Sequence, residues 1–466
     1  MEVAALPGDA LAGVLRRLPL RSLAAARCIC KAWRDVIDAR ALLLPHLLPH
    51  SVCGIFLNYI DHTRHHFFGR RRSSSSPPPF PEIDGSLGFM PNDDGRILQW
   101  SSVFDHCNGL LLFEHEWESG LCVCNPATRQ WEVLPRPEEA SVYSSLAYLA
   151  FDPAVSPHYE VFLIPPEPKT PVPSNHWMLT EQPAEPPYHL MEWPPSPFRL
   201  DVFSSRTGQW EGIDFVREGQ AAGTVQDKRL DPLDLTMFGG PRWRYAVFHQ
   251  GALYVHCRGP FVMRLSLSQG KYQVIKFPAN IEHGKVYLGK STHGVCFGII
   301  HESQLRVWIL IESCGQMEWV SKYQHNLRKL LSLPNVSGKF MGGPWVIEED
   351  NNIGESEESR EWDSDNDDLF TVEVEDNENE IEDEEYHHDN FYILGFHPYK
   401  EVVFLVQQFE VLAYHLDSSK IQYMGNCRPK CYTLNHSNAY ESFLYTPCVI
   451  GRLLHGNNTD QNPSED

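Results

Sequence analysis

The chain has 466 residues, enough for two to four domains or for one small module and one large one. It is 42% hydrophobic and 12% aromatic, which is ample for a packed core, and its 35 prolines and 31 glycines favour many turns over long helices. The formal net charge of −22 is concentrated: from Glu348 to Asp389 stand 21 acidic residues against one arginine, a net of −20 that leaves −2 for the remainder.

The first stretch, Leu6 to Ile37, is dense in aliphatic side chains. Leu11, Val14, Leu15 and Leu18 recur at i, i+3, i+4 and i+7 and form one stripe of an amphipathic helix. Pro7 suits a first helical turn, and Pro19 ends the helix because its ring disfavours helical geometry in the preceding residue. A second short helix is expected through Ser22, Leu23 and Arg27, and a third through Trp33, Val36 and Ile37. Three short helices cannot hide this much apolar surface among themselves, so they either cap the rest of the chain or await a partner.

The residues Leu6-Pro7, Asp9, Leu11, Val14-Leu15, Arg17-Leu18-Pro19, Ser22-Leu23, Arg27, Ile29-Cys30-Lys31 and Trp33 follow one another in the order of an F-box, and the stretch resembles that family. Gly13 departs from the pattern where the family often has Glu, at a cost of roughly 0.5–1 kcal/mol relative to alanine in a helix. The resemblance implies docking on a Skp-family adaptor and, through it, on a cullin scaffold of a ubiquitin ligase. It implies contact through Leu6, Pro7, Leu11, Val14, Leu15, Leu18, Pro19, Leu23, Ile29 and Trp33, the last two shared with the module's own core.

After the helices, Ala39 to His50 reads as a short tether with buried leucines, and Val52 to Ile60 has strand character. Gly69 to Pro81 (GRRRSSSSPPPFP) is low-complexity and expected to be an exposed loop. His62, His65 and His66 before it make a weak metal signal. The twelve cysteines are dispersed without a CxxC pair, which points to reduced, buried thiols and not to a disulfide framework. No secretory signal and no apolar run of membrane-spanning length is present, so the expected location is cytoplasm, nucleus or both, and the sequons at Asn335, Asn435 and Asn457 are read as chance matches. The acidic block is expected to be a disordered insertion whose charge argues against nucleic-acid binding through it.

A unit then recurs: a short apolar strand, a polar turn, an aromatic and another short strand. Its copies begin at Gly109, Arg199, Ala252, Gly294 and Lys400, and the aromatics after the turns are Trp131, Trp210, Tyr272, Trp319 and Tyr423. Each copy reads as a β-hairpin in which alternation puts Val123, Val202 or Leu265 on a buried face and the aromatic packs across the pair. Such a repeat over more than 300 residues suggests a β-propeller, with a pair of β-sandwiches as the alternative. Ring closure needs a strand from each end, and Val52 to Ile60 and Glu441 to Gly451 are the candidates.

CNGLLLF from Cys107, CNPATRQWEVLP from Cys124, LAFDP from Leu149, GFHPYKEVVFL from Gly395 and AYHLDSSKIQYMG from Ala413 resemble the F-box-associated region of plant F-box proteins. That likeness implies a kelch-like domain presenting recognition loops on one face. Asn125-Pro126 is expected to set a turn and to bind no ligand.

No GxSxG elbow, Walker loop, HExxH or dinucleotide fingerprint occurs. Asp105-His106 and His115-Glu116 are adjacent in sequence, so on a strand their side chains point oppositely. The expected fold is α+β and multidomain: a three-helix F-box at 1–46, a β-propeller of about six blades at 47–347 and 390–455, the loop at 69–81, the acidic insertion at 348–389 and a flexible tail at 456–466. The expected function is a non-catalytic substrate receptor of a cullin ubiquitin ligase. It binds the adaptor and an unknown target protein, with no cofactor, metal, nucleic acid or membrane. The alternatives are an adaptor-bound scaffold that does not direct degradation and, more remotely, a propeller hydrolase.

Overall fold

The computed structural model describes residues 8–18, 20–40, 42, 51–59, 64–70, 83–90, 102–115, 120–137, 146–165, 190–229, 245–257, 259–278, 286–313, 315–331, 343–348, 391–430, 432 and 439–449. The proline-rich segment 166–189, the sequons, the tail and the acidic block beyond Glu348 lie outside these residues, as do Leu6, Pro7, Pro19, His62, Glu116 and most of the 39–50 tether and the 69–81 loop.

Three helices open the chain: α1 (Gly8–Leu15), α2 (Leu20–Ile29) and α3 (Lys31–Ala39). Ala12, Leu15, Leu23, Ala26, Ile37 and Leu42 form a small core of their own, with Leu11, Leu18, Trp33 and Val36 half-covered around it. An ion pair from Arg40 to Asp9 ties the end of α3 to the start of α1. Gly13 faces open space, and a Cβ there would meet nothing within 4 Å.

The strands follow in chain order. β1 (Gly54–Tyr59) and β2 (His65–Arg70) form an antiparallel pair. The first blade is β3 (Val103–Cys107), β4 (Leu110–His115), β5 (Gly120–Asn125) and β6 (Gln130–Val133). The second holds β7 (Leu146–Ala150), β8 (Glu160–Ile164), β10 (Phe198–Ser204) and β11 (Gln209–Glu218). It is flanked by β9 (Glu192–Trp193), which pairs with β12 (Gly223–Thr224), and by α4 (Val225–Arg229). The third is β13 (Ala246–His249), β14 (Ala252–His256), β15 (Phe261–Ser266) and β16 (Lys271–Lys276). The fourth is β17 (Tyr287–Ser291), β18 (Gly294–His301), β19 (Gln304–Ser313) and β20 (Gln316–Asn326), followed by α5 (Arg328–Leu331) and the lone strand β21 (Trp345–Ile347). The fifth is β22 (Tyr392–Phe396), β23 (Val402–Gln407), β24 (Glu410–His415) and β25 (Ile421–Asn426), and β26 (Ala439–Tyr445) ends the order.

The sixth blade assembles from three separate parts of the chain in the order β21-β2-β1-β26. β1 pairs antiparallel with β26, from Gly54 opposite Tyr445 to Asn58 opposite Glu441, so strands from both ends close the ring. β3, β7, β13, β17, β22 and β26 lie innermost and neighbour one another around the circle. This is a closed six-bladed propeller, and it excludes the pair of sandwiches. The five hairpin repeats are the outer strands of blades one to five, and each marker aromatic lies on its blade's outermost strand.

Face-to-face stacking of blades changes the burial expected from alternation. β1 and β14 are buried at every position, and Cys122 and Cys124 are as buried as Val123 between them, because both faces of the middle strands meet a neighbouring blade. Outer strands such as β11 keep a mixed pattern, and so do the innermost strands β3 and β13. β11 also pairs in parallel with β16, Val216 opposite Lys271, which fuses the rims of blades two and three.

β21 is an unusual closure. Trp345 is wholly buried, stacks on Phe404 of blade five at 5.6 Å and meets Phe68 edge-on at 5.7 Å. Gly425 lets the strand pass, since a Cβ there would come within 2.4 Å of the Trp345 carbonyl. The Glu348 amide donates to the Phe67 carbonyl and its carboxylate accepts from the Gly85 amide at 2.8 Å. The first residue of the acidic block is thus a structural tie.

Candidate interaction surfaces

On the helical module the structure separates the expected contact residues into two sets. Val14 and Ile29 are 56% and 67% exposed, whereas Leu15 and Leu23 are buried in the module's core. Leu11, Leu18 and Trp33 sit between these sets, half-buried against that core. A protein that leaves a valine and an isoleucine open on two helices, while its own core is filled, presents a surface ready to lose more water.

Antiparallel order gives the propeller two unlike faces. Connections between first and second strands, and between third and fourth, share one face; the other connections share the opposite one. The first face carries tight turns. At Asn108-Gly109 both residues have positive φ, as a two-residue hairpin turn requires, and a Cβ on Gly109 would lie 2.4 Å from that of Cys448. The opposite face is where the proline-rich segment 166–189 leaves β8 and the acidic segment 349–390 leaves β21 and returns to β22.

The axis between these faces is crossed by side chains. β13 and β26 stand opposite each other in the ring, yet the rings of Tyr245, just ahead of β13, and Phe443 lie 6.3 Å apart. Tyr245 packs at 4.1 Å on Tyr287, whose hydroxyl donates to the Ser442 carbonyl at 3.1 Å. His106 meets Phe443 edge-on at 5.7 Å, and burial pushes its imidazole down to about 4. Asp105 points away from it and accepts the Leu149 amide at 2.8 Å, tying β3 to β7. The Asp105-His106 dyad is therefore split between a blade-to-blade tie and an aromatic plug.

Other buried polar groups are ties as well. Asn58 on β1 donates to the Val103 carbonyl and to Glu441, and accepts the Val103 amide. Asn125 accepts from the amides of Ala127 and Thr128, which makes the expected turn. Its amide also donates to the Cys448 carbonyl at 2.9 Å, a ring-closing bond that turn chemistry alone does not announce. His65 bonds to the Gly85 carbonyl and His66 packs edge-on to Tyr59, both buried. Nine described cysteines are free thiols, seven of them buried, and burial raises Cys107 and Cys427 to about 12. Among the described residues no three His, Cys, Asp or Glu side chains group as metal ligands, and no helix is long and apolar enough to cross a membrane.

Comparison with known proteins agrees with this architecture. Residues 4–44 match the F-box domain, and residues 62–191 match the F-box associated beta propeller domain. In these two stretches the chain resembles plant F-box proteins. An F-box/kelch-repeat protein of Arabidopsis thaliana is 24% identical over 136 residues, which is 27% of this chain and 34% of the relative. An F-box protein of the same plant is 24% identical over 197 residues, 39% of this chain and 41% of the relative. The chain thus spans between a third and about two fifths of these relatives. Among solved structures, a protein of unknown function from Desulfotomaculum acetoxidans is aligned over its whole length with 85% of this chain, at 9% identity and a TM-score of 0.36.

Proposed function

We propose that the chain is the substrate receptor of a cullin ubiquitin ligase, in which the helical module binds a Skp-family adaptor and the propeller holds the target protein. The observation that carries this reading is the pair of open apolar side chains, Val14 and Ile29, on a module whose own core is complete. The receptor forms no bond itself. It holds a target lysine near the carrier of activated ubiquitin and raises the effective concentration of one at the other.

Target binding is assigned to the face that carries the connections between second and third strands and between blades, since connections on a rigid scaffold can vary without disturbing the core. The plugged axis supports recognition across that face and not within a central funnel. The test is capture of a Skp-family adaptor by the full chain. Val14→Asp with Ile29→Asp should lower capture by two orders of magnitude or more, since each buried aliphatic contributes roughly 1.5–3 kcal/mol. The helical circular-dichroism signal should be retained. Undiminished capture by the double variant would overturn the assignment.

A further inference from the structure

Cationic residues are divided unequally along the chain. Residues 1–270 contain 21 arginines and 3 lysines, whereas residues 271–466 contain 5 arginines and 10 lysines. Folding turns this into a spatial division. The strands of blades six, one and two form a contiguous half-ring without lysine, while the third, fourth and fifth blades bear Lys271, Lys276, Lys290, Lys322, Lys400 and Lys420 on strands or tight turns. Blade six is informative. Two of its strands, β21 and β26, come from the lysine-bearing part of the chain, yet they have none. It is also the blade that the helices adjoin in sequence, with only the stretch between Leu42 and Gly54 intervening.

The turn between third and fourth strands allows a matched comparison. It ends on Arg129 in blade one and contains Arg206 in blade two, where the third blade has Lys271 directly after it and the fifth has Lys420 at its end. All four side chains are on exposed residues. The positions are alike in exposure and charge, although Lys271 opens β16 and is held in an ion pair with Glu218 at 2.6 Å, and they differ in what the cation can do. A lysine amine that has lost its proton attacks a thioester carbonyl carbon; the new amide C–N bond forms, the C–S bond breaks, and the carrier's thiol leaves with the proton. A guanidinium stays protonated and has no free lone pair for that attack.

We propose that arginine replaces lysine on the strands and tight turns of blades six, one and two, Lys31 of α3 and Lys228 of α4 lying outside them, so that this half of the ring is a poor acceptor for the carrier's ubiquitin thioester, which is thereby left for the bound target. This rests on the ligase reading above. The experiment uses the full chain assembled with a Skp-family adaptor, a cullin and a charged ubiquitin carrier. It compares wild type with Arg129→Lys plus Arg206→Lys, both conservative in charge and remote from the helices. The variant should gain modification at least five-fold over wild type, mapped by mass spectrometry to positions 129 and 206. Lys271→Arg plus Lys420→Arg should change the total little. Adaptor capture and discharge of the carrier onto free lysine are measured alongside. If both proceed and positions 129 and 206 stay unmodified, the arginine proposal is overturned while the receptor reading stands. If the adaptor is not captured, the receptor reading fails and takes the proposal with it.

Discussion

Trp345→Ala is the most direct probe of how the ring is held shut. The side chain is 1% exposed and bridges two blades, stacked on Phe404 of β23 at an interplanar angle of 20° and set edge-on to Phe68 of β2. Truncating a buried tryptophan to alanine costs about 3–5 kcal/mol, which already includes the roughly 0.5–1.5 kcal/mol of each aromatic pair. Three paired positions of β21 along β2 depend on that anchor, and so does the Glu348 tie to Gly85. With an unfolding entropy of about 2.1 cal/mol/K per residue, a loss near 4 kcal/mol lowers the melting midpoint of a domain of this size by about 5 °C. Hydrogen exchange followed by mass spectrometry gives the location. Because β21 completes the blade that also holds the first and last strands, protection should fall in β1, β2 and β26 together, not in 345–348 alone. Trp345→Phe keeps a ring on Phe404 and should recover about half of the loss. A midpoint within 1 °C of wild type, or loss of protection confined to β21, would refute the reasoning that this short internal strand closes the ring.

Other expectations follow from single groups. Asn58→Ala strands the Val103 amide and carbonyl and the Glu441 carboxylate in the interior and should cost about 3–5 kcal/mol in chemical denaturation, at roughly 1–3 kcal/mol per orphaned group. His106 is held neutral in the native ring, while the unfolded chain protonates it near pH 6.5, so its contribution to stability is full above about pH 6.5 and is lost as the pH falls toward 4. That loss amounts to about 3 kcal/mol at most, and His106→Gln should flatten the stability profile in that window. Gly13→Ala, into open space on α1, should raise helix protection by about 0.5–1 kcal/mol in hydrogen exchange. Leu15→Ala should lower adaptor capture by unfolding the module, visible as lost helical signal, whereas Val14→Asp should lower capture with the signal retained.

The sequence alone determined the helical module and the five-fold hairpin repeat, while the count of blades was settled by the sixth, which assembles from three separate parts of the chain. Leu11, Val14, Leu15 and Leu18 carry helical periodicity within eleven residues of the chain start of α1, and each outer hairpin carries its own turn and aromatic, so local pattern suffices to reveal them. What it did not reveal are the innermost strands. β13 (AVFH) and β17 (YLGKS) are short and stand ahead of the repeat unit; each forms a hairpin with the strand after it, but its place on the axis is set by neighbours in other blades. The fourth strand of blade six was equally hidden: three residues, 345–347, become a strand only because β2 offers an edge and Phe404 a stacking surface. Tertiary structure also decided which apolar residues of the helical module remain open. Periodicity places Val14 and Leu15 on one stripe, yet Leu15 turns into the core with Leu23 and Ile37, and Val14 is left to water. Local pattern follows from the order of neighbours in sequence; closure and exposure follow from which surfaces meet when residues hundreds of positions apart are brought together.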